Sequence, residues 1–123
     1  MSGWLIVGLA GAFGATSRHA VDLGMRKWFP TGPSVGILVA NLSGSLLLGI
    51  MVGLSMTRYI DRDLQLALTV GFCGAFTTFS TFAAELAGLV NDRSSRLLVQ
   101  WTVAMVIGGG VAAAVGIAIG RSW

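Results

Sequence analysis

Charge is scarce in this sequence. Asp, Glu, Lys and Arg make up 11% of its 123 residues, against about 25% in an ordinary soluble domain. Cysteine occurs once, at Cys73, which excludes an internal disulfide and a cysteine-rich zinc site. Histidine also occurs once, at His19, and cannot by itself supply a metal or catalytic cluster. Proline occurs twice, so little interrupts the helical runs. What is abundant is apolar surface: 54% of residues are hydrophobic, and the mean hydropathy is +0.81. A soluble fold of this length cannot bury that much, and a disordered chain would be polar and charge-rich. The composition is that of an all-α membrane protein.

Four charge-free runs carry the apolar residues: Met1 to Ser17, Thr31 to Thr57, Leu64 to Ala84 and Leu97 to Gly120. A helix crossing a bilayer core needs about 20 apolar residues. The last three runs reach that length. The first does so if Arg18 and His19 lie at its end, near the interface. It lacks the basic start of a secretory signal, so it is expected to be a retained helix. The expected architecture is one domain over residues 1–123, with spans 3–23, 34–57, 64–90 and 97–120.

The basic residues fall in small groups between these runs. No basic helix face alternates with aromatics, which argues against nucleic-acid binding. With four spans, Arg58, Arg62, Arg121 and the terminal amine share one side. Arg26, Lys27, Arg93 and Arg96 share the other, with Arg18 near the boundary. Orientation is chosen by an excess of Lys and Arg on one face. Here the faces nearly balance, which predicts insertion both ways and an antiparallel dimer.

Two runs carry stripes of small residues. Asn41, Ser45, Gly49 and Gly53 recur every four positions, as do Ala104, Gly108, Ala112, Gly116 and Gly120. Such stripes let membrane helices approach closely, and helix packing is their expected role. The Gly8, Gly11, Gly14 series is not a nucleotide fingerprint, because no strand precedes it and no acid follows at the required distance.

The third run concentrates the chemistry. In Gly71-Phe-Cys-Gly-Ala-Phe-Thr-Thr-Phe-Ser-Thr-Phe82, Thr77, Thr78, Ser80 and Thr81 place four hydroxyls at about mid-membrane, with Glu85 just beyond. Back-bonding to the carbonyl one turn earlier accounts for one or two of them. Four, beside Gly71 and Gly74, predict a helix break, which frees backbone groups to bind ions. Phe79 and Phe82 share a helical face, with Phe76 one turn before. Their rings are either plain core or lipid contacts, or they turn positive edges toward a small anion. Asn41, the amide within the second run, either donates to an anion or bonds another helix. Glu85 is either a proton or cation site or part of a vestibule.

Gly11-x-x-Gly14-Ala15-x-x-Arg18, Gly36-x-Leu38-x-x-Asn41 and the Gly71–Phe82 motif together resemble the Fluc (CrcB) family of fluoride channels. The likeness covers the whole chain. It implies a passive fluoride channel that exports fluoride across a bacterial or archaeal plasma membrane, working as an antiparallel dual-topology dimer with two pores. It implies a fluoride path of Asn41, Phe79, Phe82, Ser80, Thr81 and Glu85, with Arg18 at the pore mouth. It also implies a structural sodium ion at the dimer interface, held by the backbone carbonyls of Gly74 and Thr77. The partners implied are fluoride, sodium, lipid and a second copy of the chain or a paralogous subunit.

The sequence departs from that pattern at Ile37, where relatives often have threonine. It departs again at Trp101, Met105 and Gly109, where they tend to carry an aromatic followed by serines. Two other classes share parts of the pattern. Small dual-topology multidrug-resistance transporters match in length and charge balance, but they need a glutamate in the first span, and no acid precedes Asp22. An accessory packing subunit would need only the small-residue stripes.

Overall fold

The computed structural model describes residues 2–123, and every regular element among them is helical. Helix α1 spans Gly3–Arg26 and α2 spans Val35–Thr57. The third membrane segment is assembled from pieces: α3 (Arg62–Leu66), a π-helical stretch (Ala67–Cys73), α4 (Gly74–Phe76) and α5 (Phe79–Asn91). Helix α6 spans Ser95–Arg121.

Local signals set several of these boundaries. Ser34 caps α2 by accepting from the Ile37 N–H, and Asp61 caps α3 by accepting from the Asp63 and Leu64 N–H groups. Each satisfies donors that a helix start leaves open. At the end of α5, Arg93 takes a left-handed conformation (φ 55°). The Ser94 N–H then reaches the Leu89 carbonyl and the Arg93 N–H the Val90 carbonyl, which is a Schellman closure made without glycine.

Val35–Thr57, Arg62–Asn91 and Ser95–Arg121 are long and apolar enough to cross a membrane. Helix α1 has the length but not the apolarity. The helix runs past Arg18 and His19 through the expected span 3–23 and on to Arg26. The continuation follows from local pairing: Asp22 accepts from Arg26 Nε one turn on, at 3.3 Å, and from the Ser34 hydroxyl across the connector.

Glycine sets the packing. A Cβ at Gly49 or Gly53 would overlap the carbonyls of Ala113 or Ile117 on α6. One at Gly116 or Gly120 would overlap those of Leu46 or Ile50 on α2. The two small-residue stripes therefore face each other, backbone against backbone, as helix packing in a membrane favours. Helix α1 meets the π-helical stretch the same way, through Gly14 against the Phe72 carbonyl and Gly71 against Val7. The buried side chains include Ile37, Met51, Cys73, Phe76, Phe82 and Met105. Many large apolar residues stay outside, among them Trp4, Phe13, Val70, Phe79 and Ile107. That is the surface of a chain dressed for lipid or for another apolar partner.

Candidate functional site

Helical bonding in the third segment ends with the Thr77 N–H, which donates to the Cys73 carbonyl at 3.0 Å. Thr77 (φ −84°, ψ 154°) and Thr78 (φ −148°, ψ 122°) are extended, and α5 starts at Phe79. Gly74 itself remains helical (φ −60°, ψ −37°), so the break lies one turn beyond it. In an unbroken helix the Thr78 N–H would donate to the Gly74 carbonyl. Here it donates to Asn41 Oδ1 at 2.8 Å, while Asn41 Nδ2 donates to the Thr78 carbonyl at 3.0 Å. One side-chain amide from α2 thus replaces the missing turn. Close contact helps it reach: a Cβ at Gly44, three residues along α2, would overlap the Thr77 methyl group. The second Asn41 amide proton goes to Met105 Sδ on α6, at 3.3 Å.

The hydroxyls divide at the break. Thr77 Oγ1 donates back to the Cys73 carbonyl at 2.9 Å, the ordinary back-bond of a membrane threonine. The other three gather at the start of α5. Thr78 Oγ1 accepts from the Thr81 N–H as the helix cap and lies 3.3 Å from both Ser80 Oγ and Thr81 Oγ1.

The aromatic rings divide as well. Phe79 and Phe82 meet edge to face, with centroids 6.2 Å apart and planes at 66°. Phe82 is buried at 5% exposure, whereas Phe79 projects outward at 79%. Phe76 does not join them. It lies before the break and stacks on Phe72, 5.3 Å away. Beside the Phe79–Phe82 pair runs an open, mostly apolar groove of about 380 Å³, lined by Asn41, Gly44, Ser45, Thr77, Thr78, Phe79, Phe82, Met105 and Gly109 among others. Ser45 lies next to the backbone of Gly109, so a hydroxyl from α2 stands at that level of the groove.

Glu85 faces elsewhere. Its Oε1 accepts from the Ser34 N–H at 2.8 Å, at the start of α2, and the Ser34 hydroxyl in turn meets Asp22. Its Oε2 and the Trp101 Nε1 are buried without a hydrogen-bond partner. Ile37 is buried one turn beyond Ser34. Arg18 sits half-buried on α1, one turn after Gly14. It takes part in no ion pair within 4.0 Å among the described residues, where Arg26–Asp22 is such a pair.

Asn41, Gly74, Thr77, Phe79 and Phe82 line this groove, and Ser80, Thr81 and Glu85 do not. Sequence reasoning puts Asn41, Phe79, Phe82, Ser80, Thr81 and Glu85 on one fluoride path, and Gly74 and Thr77 at a sodium ion. It missed the Met105 thioether contact and the Ser34–Glu85 link. These join positions 64 and 51 residues apart, and no local pattern announces either.

Comparison with known proteins agrees along nearly the whole length. Relatives named fluoride-specific ion channel FluC include one from Prosthecochloris aestuarii, 32% identical over 97% of this chain and 93% of the relative. Another, from Chloroflexus aurantiacus, is 33% identical over 98% and 97%. A protein of Cutibacterium acnes named fluoride-specific ion channel FluC 2 is 37% identical over 94% and 95%. The profile described as CrcB-like protein, Camphor Resistance (CrcB), matches residues 5–117. With a broken third segment clamped by Asn41 and a family match over most of its length, the chain belongs to the CrcB-like family.

Proposed function

We propose that this chain is a fluoride-selective passive channel that lets fluoride leave the cell across the plasma membrane. The observation that carries the reading is a helix break near the middle of the apolar segment Arg62–Asn91, clamped by Asn41 and opening on the groove beside the edge-paired Phe79 and Phe82. Fluoride is small and strongly hydrated, so a dry path must replace its water with donors and positive ring edges. Asn41 and the two rings supply such groups, and Ser80 and Thr81 continue the path with hydroxyls. Glu85 lines the vestibule. Its carboxylate turns toward the Ser34 N–H, which keeps its charge off the groove. Arg18 stands at the pore mouth, where a cation raises the local concentration of an anion. The relatives' printed names agree with this reading.

The working unit in this proposal is an antiparallel homodimer in which α1 forms a fourth crossing. At 24 residues, α1 is about 36 Å long. Irregular backbone at membrane depth is tolerated only where protein or a water-filled cavity covers it. In the single chain Gly74 is exposed and Phe79 projects outward, so the break wants a second copy over it. The balance of Arg and Lys between the two faces favours opposite insertion of that copy.

A structural sodium ion fits the same place. Because the Thr78 N–H is diverted to Asn41, the Gly74 carbonyl lacks its helical donor, and the extended Thr77 carbonyl lies beyond the last turn. Carbonyl oxygens suit a hard cation. These two would hold it, and the ion would pin the breaks of two subunits together.

Efflux from liposomes tests the function. Liposomes holding this chain alone should release fluoride and retain chloride. Folded protein that releases neither would refute a self-sufficient channel.

A further inference from the structure

We propose that the Met105 thioether is a placeholder acceptor, holding the second Asn41 amide proton in the groove until the permeating anion takes it. This rests on the fluoride reading above. The amide orientation is fixed by its surroundings, because the Thr78 N–H requires an acceptor and therefore Oδ1. The two Nδ2 protons then have unequal tasks. One bonds the Thr78 carbonyl and holds the break, so giving it up would release the clamp. The other bonds Met105 Sδ, and a thioether is a weak acceptor. Met105 is itself buried and lines the groove alongside Phe79 and Phe82.

A hydrogen bond to an anion is roughly twice as strong as one between neutral groups. Exchanging the thioether for fluoride is therefore favourable, and it leaves the Thr78 bonds intact. With no acceptor at all, the proton would be left unpaired in an apolar groove, at a cost to stability. With an oxygen acceptor, it would be held nearly as firmly as a backbone bond and would resist the ion. The sulfur satisfies the donor while the groove is empty and competes for it only weakly. Met105 is in this sense a placeholder, set by α6 against a donor on α2.

Two substitutions of similar size separate this role from packing. Met105→Gln places an amide oxygen near the proton and should lower fluoride efflux per folded channel about tenfold. Met105→Leu removes the acceptor and should lower the half-saturating fluoride about threefold, since nothing competes with the ion. Equal losses in both variants, or no effect of glutamine, would overturn the role. Side-chain amide spectra of 15N-labelled wild-type protein in micelles give a second reading that does not depend on variant folding. Fluoride should shift the Asn41 proton facing Met105 and leave the one facing Thr78 in place; equal shifts, or none, would also overturn it. Wild-type liposomes that pass no fluoride would instead refute the channel reading itself.

Discussion

The α2–α6 pair and the third membrane segment draw on the same residue types and do opposite things with them. Both are rich in glycine and small polar side chains. In the pair, Gly49, Gly53, Gly116 and Gly120 remove side chains so that two unbroken helices touch backbone to backbone. In the third segment, hydrogen bonding shifts to a π-helical register over Ala67–Cys73 and then stops at Thr77–Thr78. Glycine does not cause that stop, since Gly74 is helical. The stop is held from outside, by Asn41 accepting from and donating to the backbone of Thr78. Close packing is thus written locally, whereas the break depends on a partner helix. Because α2 carries both Asn41 and the glycine stripe, the rigid pair is the frame against which the broken segment is held.

The comparison breaks most severely at the rigid side. Gly116→Leu would drive a side chain into the Leu46 carbonyl, which is backbone and cannot step aside. Overpacking ordinarily costs about 1–3 kcal/mol, and here the cost should exceed about 3 kcal/mol because whole helices must part. Monodisperse protein in detergent should largely disappear. A well-folded Gly116→Leu variant would mean that α6 can slide on α2.

On the broken side the effects should appear chiefly in flux, with the α2–α6 frame kept. Asn41→Asp retains an acceptor for the Thr78 N–H, loses the donors, and adds a negative charge beside the groove. At an effective dielectric of about 20 and ~4 Å, repulsion of an anion is roughly 4 kcal/mol, which slows passage about a thousandfold. Efflux should be measured at neutral pH or above, where the new acid is ionised. Normal flux would remove Asn41 from the ion path. Phe82→Ile is milder. It keeps apolar bulk but removes the ring edge beside Phe79, so fluoride efflux should fall at least about tenfold while the melting temperature drops by a few degrees. Flux that falls only in step with lost folded protein would make Phe82 a packing residue.

How much of this was legible follows from which interactions are local. The glycine stripes could be read because a four-residue period is the packing geometry itself. The break could be anticipated near Thr77 and Thr78, because four hydroxyls at membrane depth exceed what back-bonding absorbs. Its placement beyond Gly74 could not, since the amide that holds it stands on α2. The last turn of α1, out to Arg26, was hidden because charge there reads as a connector, until Asp22 is seen bonded to both Arg26 and Ser34. Phe76 was grouped with Phe79 and Phe82 by helical spacing, and the two extended residues between them void that spacing. The link from Glu85 to Ser34 left no local trace at all.

The smallest expected effect sharpens the comparison within a single helix. Gly110 lies on α6 less than two turns before Gly116, yet a Cβ built on it meets nothing within 4 Å. Alanine there should relieve the entropic cost of a helical glycine, stabilising the protein by about 0.5–1 kcal/mol, read as a small rise in melting temperature. The sign depends on what lies against that exposed face. If it faces lipid, the gain stands, and cross-linking yields of the proposed dimer stay as in wild type. If a second copy packs there through its own backbone, the added methyl group meets it, and dimer yield falls although each subunit is intrinsically more helical. Gly110→Ala with Gly116→Leu as its counterpart therefore separates glycines that join helices within the chain from those left free, and identifies which side of α6 a partner subunit touches.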